Sequence, residues 1–309
     1  MSPKNEKVTV DVDGHELTLS NLDKPLFPSG FTKGDVIDYY VRVAPVMLPH
    51  LRGRPVTVKR FPEGTSHSGF IEKNVPRHAP EWVRTVTLPR KGTGWGSTRT
   101  KSDRDTTEYT IVDDLATLTW LANLASIELH TPMWRAGADD SPRSPDLVVF
   151  DLDPGHPAGI VECCKIAGRL RERAAQDRIE LFAKTSGSKG LQCYGRITSK
   201  RWPADRSNEY AHELAEELEQ EDRALVVSRM AKELRRGKVL IDWSQNNPAK
   251  TTVTPYSLRA SKRPSVSTPV TWDEVAQSAE GGIDLLAFGP ADVLQRVEQM
   301  GDLFAPLVK

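Results

Sequence analysis

At 309 residues the chain has room for one large domain or two of ordinary size. Hydrophobic residues make up 38%, and 42 Lys plus Arg balance 42 Asp plus Glu, so net charge selects no partner. No apolar run approaches ~18 residues, which excludes a helical membrane span.

The N-terminal stretch MSPKNEKVTVDVDG lacks the apolar segment of a signal peptide. Cys163, Cys164 and Cys193 form neither a metal spacing nor an even disulfide set. A reduced, cytoplasmic protein is expected. Neutrality does not exclude nucleic acid, because local basic patches release counterions from phosphates.

In chain order, VTVDVDGHELTLS predicts two short strands joined at the Asp13-Gly14 step. Thr32 followed by Asp35 is a capping-box-like start, and Val36, Ile37, Tyr40, Val41 and Ala44 keep helical spacing. Residues 54–61, RPVTVKRF, read as a strand with basic ends. Residues 90–108 are rich in Gly, Thr and charge without apolar periodicity and read as a loop. A helix is expected over 114–127, then a loop that delivers the chain to LVVFDLDPG at 147–155. There follow a helix near 158–175, strands near 179–184 and at LQCYGRI, an acidic helix over 207–222, and a strand over 235–243. The acidic helix reads as a solvated face. This order lacks a regular βαβ rhythm, so it fits an α+β protein with more than one sheet.

LVVFDLDPG sets the chemical question. Residues two apart on a strand share a face, so Asp151 and Asp153 are parallel carboxylates at a strand exit. Hard divalent cations such as Mg²⁺ or Mn²⁺ take oxygen ligands of this kind. An Asp-rich turn capping the next helix is the competing reading. VLIDW delivers a third carboxylate, Asp242, to the end of another apolar strand. Three carboxylates on two strand ends are what two-metal phosphoryl transfer needs. Residues 184–190, KTSGSKG, combine glycines, hydroxyls and lysines as a phosphate cradle would, and equally as a tight turn. The Walker A spacing is absent. Basic residues gather at Lys59 and Arg60, from Arg229 to Lys238, and from Arg259 to Arg263, which suits a triphosphate or a nucleic-acid backbone. Lys33 in a first helical turn, with Lys24 just upstream, suits an anion, although ordinary capping explains the same residues.

VVFDLDPG, TSGSKGL, VLIDWSQN and KTTVTPYSLR together resemble the polymerase domain of the bacterial repair ligase LigD, in the archaeo-eukaryotic primase superfamily. LSNLDKPLFP, RPVTVKRFPEG, FIEK and ELHTPMW extend the resemblance over nearly the whole chain. It implies a single domain over 1–309, with 5′-phosphate and template elements in 1–134 and mainly catalytic elements in 146–309. The implied fold is α+β, with two mixed or antiparallel sheets flanked by helices and an RRM-like catalytic sheet. By resemblance, Asp151, Asp153 and Asp242 match metal-binding aspartates, and Ser186 and Lys189 match a triphosphate loop. His130, Arg235, Gln245 and Arg259 match residues lining the nucleotide and active site, with His130 counted among the catalytic groups. Lys59 and Arg60 match a basic pair near nucleotide and template. Asn21, Lys24 and Lys33 match a pocket for the 5′-phosphate of a downstream strand.

Two residues depart from the family pattern. Gln192 stands where LigD domains usually carry histidine; it can hydrogen-bond a phosphate or sugar but carries no charge. Phe70 and Ile71 stand where two aromatics are usual, so Phe70 can stack on a template base while Ile71 can only wedge. The 90–108 loop is longer than expected for LigD. No ligase or phosphoesterase module is expected in this chain. These points are similar to the separate primase-polymerases that work beside the ligase LigC, called Prim-PolC.

The function expected is template-dependent filling of short DNA gaps by two-metal nucleotidyl transfer. The resemblance implies Mn²⁺ (or Mg²⁺) as two divalent ions, a preference for ribonucleoside over deoxyribonucleoside triphosphates, and a nucleoid-associated monomer. The implied partners are gapped or broken DNA with a downstream 5′-phosphate and a DNA ligase. An alternative is end joining at double-strand breaks with Ku and a ligase. Two remoter classes are a D-x-D phosphatase, which generally wants Thr or Val where Gly155 stands, and a non-catalytic gap-binding factor.

Overall fold

The structure is a computed structural model that describes residues 7–89, 106–198, 202, 206–281 and 286–309. Most of the expected 90–108 loop lies outside the described residues; Thr106–Glu108 belong to a strand. The chain divides into two compact units. Unit one holds the described residues up to Thr131, with Arg135–Arg143 and Ala260–Pro264. Unit two holds Pro132–Trp134, Ser144–Arg259 and Ser265–Lys309.

Unit one opens with an antiparallel hairpin, β1 (Lys7–Val12) and β2 (His15–Ser20). Asp13 and Gly14 both take positive φ, 52° and 80°, the turn that matches strand twist. Helix α1 (Lys33–Leu51) follows, with the full Thr32/Asp35 capping box. It runs through Pro45 and Pro49, which cannot donate backbone hydrogen bonds. Val43, Met47 and Leu51 on its inner face are fully buried, and that packing carries the helix past both prolines. Next come β3 (Pro55–Arg60), β4 (Phe70–Glu72), β5 (Thr85–Pro89), β6 (Thr106–Ile111), α2 (Leu115–Asn123) and β7 (Ser126–Thr131). The sheet runs β7-β3-β6-β5, with β4 also paired to β3. Helix α2 stops earlier than the expected 127, because Ala125 takes φ 57° and Ser126 begins β7.

Unit two contains β8 (Leu147–Pro154), α3 (Ile160–Gln176), β9 (Leu181–Thr185), β10 (Leu191–Arg196), α4 (Arg206–Glu221), β11 (Val226–Val227) and β12 (Val239–Asp242). It continues with β13 (Thr252–Val253), β14 (Leu258–Arg259), β15 (Ser265–Val266), β16 (Pro269–Val270), α5 (Trp272–Ala279) and α6 (Pro290–Met300). Its sheet has the order β11-β12-β8-β10-β9-β16. Within it, β8-α3-β9-β10-α4-β12 is a β-α-β-β-α-β unit, the ferredoxin-like arrangement that RRM folds share. β14 and β15 form a separate two-stranded ribbon.

Alternation along β8 divides its side chains between two faces. Val148, Phe150 and Leu152 join the large core with α3 and α4. Leu147 and Val149 form a small second cluster with Met133, Tyr194, Phe304 and Leu307 on the opposite face. Asp151 and Asp153 continue that second face toward the strand exit. The expected strand over 235–243 shortens to β12, because Gly237 at φ 72° and the Lys238 N–H bond to the Arg235 carbonyl make 235–238 a turn. No helix of the described residues is long and apolar enough to cross a membrane.

Candidate active site

Register alone builds a polar row across the sheet of unit two. Asp242 of β12 stands opposite Asp151 of β8. Asp151 stands opposite Gln192 of β10, and Gln192 opposite Lys184 of β9. Directly opposed residues on antiparallel strands share a face, so four adjacent strands present Asp242, Asp151, Gln192 and Lys184 side by side. Asp153 lies two residues beyond Asp151 on the same face.

The row is electrostatically uneven. Burial pushes the Asp151 carboxyl up to about 7, helped by Asp153 and Asp242 and opposed by a hydrogen bond from Gln192 and by Lys184. Asp153 is also raised, by burial and by Asp242, while Arg235 acts the other way. Burial drives the Lys184 ammonium well below its ordinary value. Three carboxylates crowded on two adjacent strands form a hard-oxygen donor set that suits a divalent cation. Among the described residues, however, no three His, Cys, Asp or Glu side chains converge closely enough to hold an ion. The Asp242 carboxylate is engaged by the turn that follows it. Its Oδ1 accepts from the Ser244 N–H at 3.1 Å and from the Ser244 hydroxyl, and its Oδ2 accepts from Gln245 Nε2 at 2.9 Å. Asp242 still lies close enough to raise both Asp151 and Asp153.

Two glycines explain how closely the surrounding loops approach. A Cβ on Gly155 would lie 1.9 Å from the Arg235 carbonyl oxygen. Gly155 N–H donates to Lys238 O and Gly237 N–H to Gly155 O, which fastens the basic 235–238 turn beside the aspartates. Thr or Val, the residues of the D-x-D phosphatase pattern at this position, would not fit at 155 without a backbone shift. A Cβ on Gly190 would lie 2.1 Å from the Leu152 carbonyl oxygen, so the 186–190 loop rests on β8.

That loop is also tied to itself. Ser186 Oγ accepts from Gly190 N–H at 3.1 Å and from Ser188 N–H at 3.3 Å. Lys189 is exposed at its tip. Gly187, at φ 68°, lies against the Arg259 side chain, and its carbonyl accepts from the Ser265 hydroxyl at 2.7 Å. Unit two thus gathers Asp151, Asp153, Asp242, Ser186, Lys189, Gln192, Arg235, Gln245 and Arg259. Arg235 donates to the Met230 carbonyl at 2.5 Å, and its Nε is buried without a hydrogen-bond partner.

Two residues here escaped the sequence reading. Lys184 appeared only as the end of an expected strand and one charge of the loop that follows, although it is fully buried. Asn246 was unassigned; its side chain accepts from Val149 N–H at 2.8 Å and donates to the Val149 and Trp243 carbonyls at 2.7 and 2.8 Å. It pins the turn after Asp242 to β8 where strand pairing ends. No spacing rule signals either residue, since both depend on strand register.

Unit one carries the remaining candidates. His130 Nε2 lies 3.0 Å from Glu128 Oε2, and Glu128 Oε1 accepts from Ala260 N–H at 3.0 Å. Lys59 pairs in register with Glu128, and its Nζ lies 5.1 Å from the Phe61 ring centroid. Arg60 is committed to the protein: it donates to Leu124 O at 2.9 Å and to Glu72 Oε2 at 2.8 Å. It also lies over the Phe70 ring, 5.4 Å from the centroid, so it fixes the short strand that displays Phe70 and Ile71. Those two side chains are 46% and 67% exposed, unusual for large apolar groups.

Asn21, Lys24 and Lys33 come together through the backbone: Lys24 N–H donates to Asn21 O, and Lys33 N–H to Lys24 O. Lys33 Nζ donates to the Ser20 carbonyl at 2.6 Å, and Lys24 pairs with Glu63 at 3.0 Å. Burial, then Lys24 and Arg60, bring the Lys33 ammonium down to about 8.

The profile of the family described as "LigD, primase-polymerase domain" matches residues 32–304. The chain is 41% identical over 291 residues to the "Multifunctional non-homologous end joining protein LigD" of Mycolicibacterium smegmatis, covering 94% of this chain and 36% of that protein. It is 27% identical to the "Bifunctional non-homologous end joining protein LigD" of Bacillus subtilis, covering 93% of this chain and 43% of that protein. The chain therefore spans less than half the length of these relatives. Among solved structures, the "Polymerase Domain from Mycobacterium tuberculosis Ligase D in complex with DNA" superposes with a TM-score of 0.83 at 38% identity. That match covers 94% of this chain and 98% of the other. The fold is that of the archaeo-eukaryotic primases.

Proposed function

The chain belongs to the LigD primase-polymerase domain family, and from that premise we propose that it fills short gaps in DNA by template-dependent nucleotidyl transfer. The observation that carries this reading is the polar row. Asp242, the last residue of β12, stands opposite Asp151 inside the antiparallel strand β8, with Asp153 on the same face. The family match runs through both compact units, which supports treating them as one polymerase domain.

Asp151 and Asp153 are proposed to hold divalent ions, joined by Asp242 once it leaves Ser244 and Gln245. Bound there, the ions would lower the pKa of an attacking hydroxyl and offset charge on the transferred phosphorus. The primer 3′-hydroxyl attacks the α-phosphorus of the incoming nucleotide, and pyrophosphate leaves. Lys189 and Arg259, on either side of Gly187, neutralise the triphosphate, with Ser186 shaping the loop between them. Arg235, held beside Asp153, and Gln245 complete the nucleotide side within unit two, together with Gln192; Lys59 and His130 of unit one are proposed as nucleotide-site and catalytic residues on the family resemblance alone. Glu128 holds the imidazole of His130 through its Nε2. Phe70 supplies a stacking surface for a template base, Ile71 a wedge, and Arg60 their support. Asn21, Lys24 and Lys33 receive a downstream 5′-phosphate.

The proposed ions are Mn²⁺ or Mg²⁺, with Mn²⁺ preferred, and the preferred substrates are ribonucleotides. The proposed setting is that of the Prim-PolC enzymes, a monomer acting with a DNA ligase on nucleoid DNA. End joining with Ku is the second reading, since the LigD relatives are named as non-homologous end joining proteins. Primer extension tests the proposal. It should proceed across a short gap only with a divalent ion, faster with Mn²⁺ than Mg²⁺ and with ribo- than deoxynucleotides. Absence of incorporation on every primed template would leave only a gap-binding role.

A further inference from the structure

Lys184 is a fully buried lysine on the same face of the sheet as Asp151 and in the same row. Burying an ammonium is costly unless every donor is used. Here Nζ donates to Gln192 Oε1 at 2.5 Å and to Ser267 Oγ at 2.6 Å. It also lies 5.4 Å from the centroid of the Tyr194 ring. A ligand arriving from solvent cannot reach it, so Lys184 is no direct phosphate contact. Its influence passes through Gln192.

The direction of the Gln192 amide follows from donor counting. An ammonium has no acceptor, so the atom facing a charged Nζ is the carbonyl oxygen. The Tyr194 hydroxyl, 3.3 Å from the same oxygen, is consistent with it. The amide NH₂ is then left for Asp151, to which the Gln192 side chain is hydrogen-bonded. Reversing the amide would set donor against donor at Lys184 and acceptor against acceptor at Asp151. Ser267 completes the clamp: its hydroxyl donates to Thr185 O at 2.7 Å while its oxygen accepts from Lys184.

We infer that Lys184 is a positioning residue of the nucleotidyl-transfer site: it locks Gln192 with its NH₂ toward Asp151 and so holds that carboxylate in one orientation for a divalent ion. This rests on Asp151 being an ion-binding carboxylate, as proposed above. A merely structural lysine would join β9, β10 and β16 with no effect on ion affinity. Groups that orient metal ligands typically contribute about 10–100-fold to affinity.

The test uses the full chain and Mn²⁺ alone, with bound ion read from loss of the free-Mn²⁺ electron paramagnetic resonance signal. Lys184→Met is expected to weaken Mn²⁺ binding about tenfold while keeping a cooperative thermal transition. Gln192→Leu should weaken it to a similar extent, and the double variant no more than about twofold further, because both remove one hydrogen-bonded chain. Extension by Lys184→Met should need more Mn²⁺ for half-maximal rate, with the nucleotide KM at saturating Mn²⁺ within about twofold of wild type. Folded Lys184→Met with wild-type Mn²⁺ affinity overturns the inference, as do losses that multiply in the double variant. If Lys184→Met fails to fold, Gln192→Leu decides, and unchanged affinity in it overturns the inference. Asp151→Ala separates the two levels. If it binds Mn²⁺ as wild type does, the underlying site reading fails. If it loses binding while the other two do not, only the role of Lys184 fails.

Discussion

The two charged regions of this chain are built on opposite terms. The aspartate row in unit two sets like charges together, and burial with mutual repulsion raises Asp151 and Asp153. The lysine cluster in unit one parks each cation on a protein acceptor, Lys33 on the Ser20 carbonyl and Lys24 on Glu63. A site left repulsive by its own protein gains most from a counter-ion. A site that is already satisfied gains only the difference between two acceptors. The first is therefore expected to be all-or-none in function, and the second graded.

The largest test of that contrast is Asp151→Ala, expected to abolish primer extension while binding to gapped DNA stays within about twofold. Full extension by this variant would break the assignment outright. Asp151→Asn sharpens it through stability. The folded carboxyl titrates near 7, above its unfolded value, so the folded state holds more protons and stability falls as pH rises from about 4 to 7. The asparagine variant should therefore melt higher than wild type at pH 8 without metal, and the gain should vanish at about pH 4. A gain independent of pH would rule out repulsion as the cause.

Phe70→Ala tests the exposed display strand; base stacking of this kind is worth about 1–3 kcal/mol, so affinity for primed template should fall measurably by fluorescence anisotropy. Ile71→Ala should cost less. The paired change Lys24→Ala and Lys33→Ala should weaken gap binding about tenfold when the downstream strand carries a 5′-phosphate, and not when it carries a hydroxyl. Equal losses on both would refute the pocket. The smallest effect is its pH dependence. Because Lys33 sits near 8, the phosphate-dependent part of binding should decline between pH 7 and 9 as the ammonium deprotonates. A flat profile would show that Lys24 carries the interaction alone.

The hairpin turn at Asp13-Gly14, the Thr32/Asp35 cap and the apolar strand ending in Asp151 and Asp153 were all legible, because each depends on residues close in sequence. The end of α2 was not, since a positive φ at Ala125 has no residue-type signature. Neither was the passage of α1 through two prolines, which depends on what Met47 and Leu51 meet inside. Arg60 shows the same limit at a site: spacing marks it as a basic residue beside a strand, while the fold spends it on Glu72, Leu124 and the Phe70 ring.

By itself the sequence determined the family, the carboxylates and the strand that carries two of them, because motif order and a period of two are local properties. Only the tertiary structure decided which side chains stand beside Asp151. Register between β12, β8, β10 and β9 set Asp242, Gln192 and Lys184 in its row, and pairing between strands distant in sequence is fixed by packing of the whole sheet.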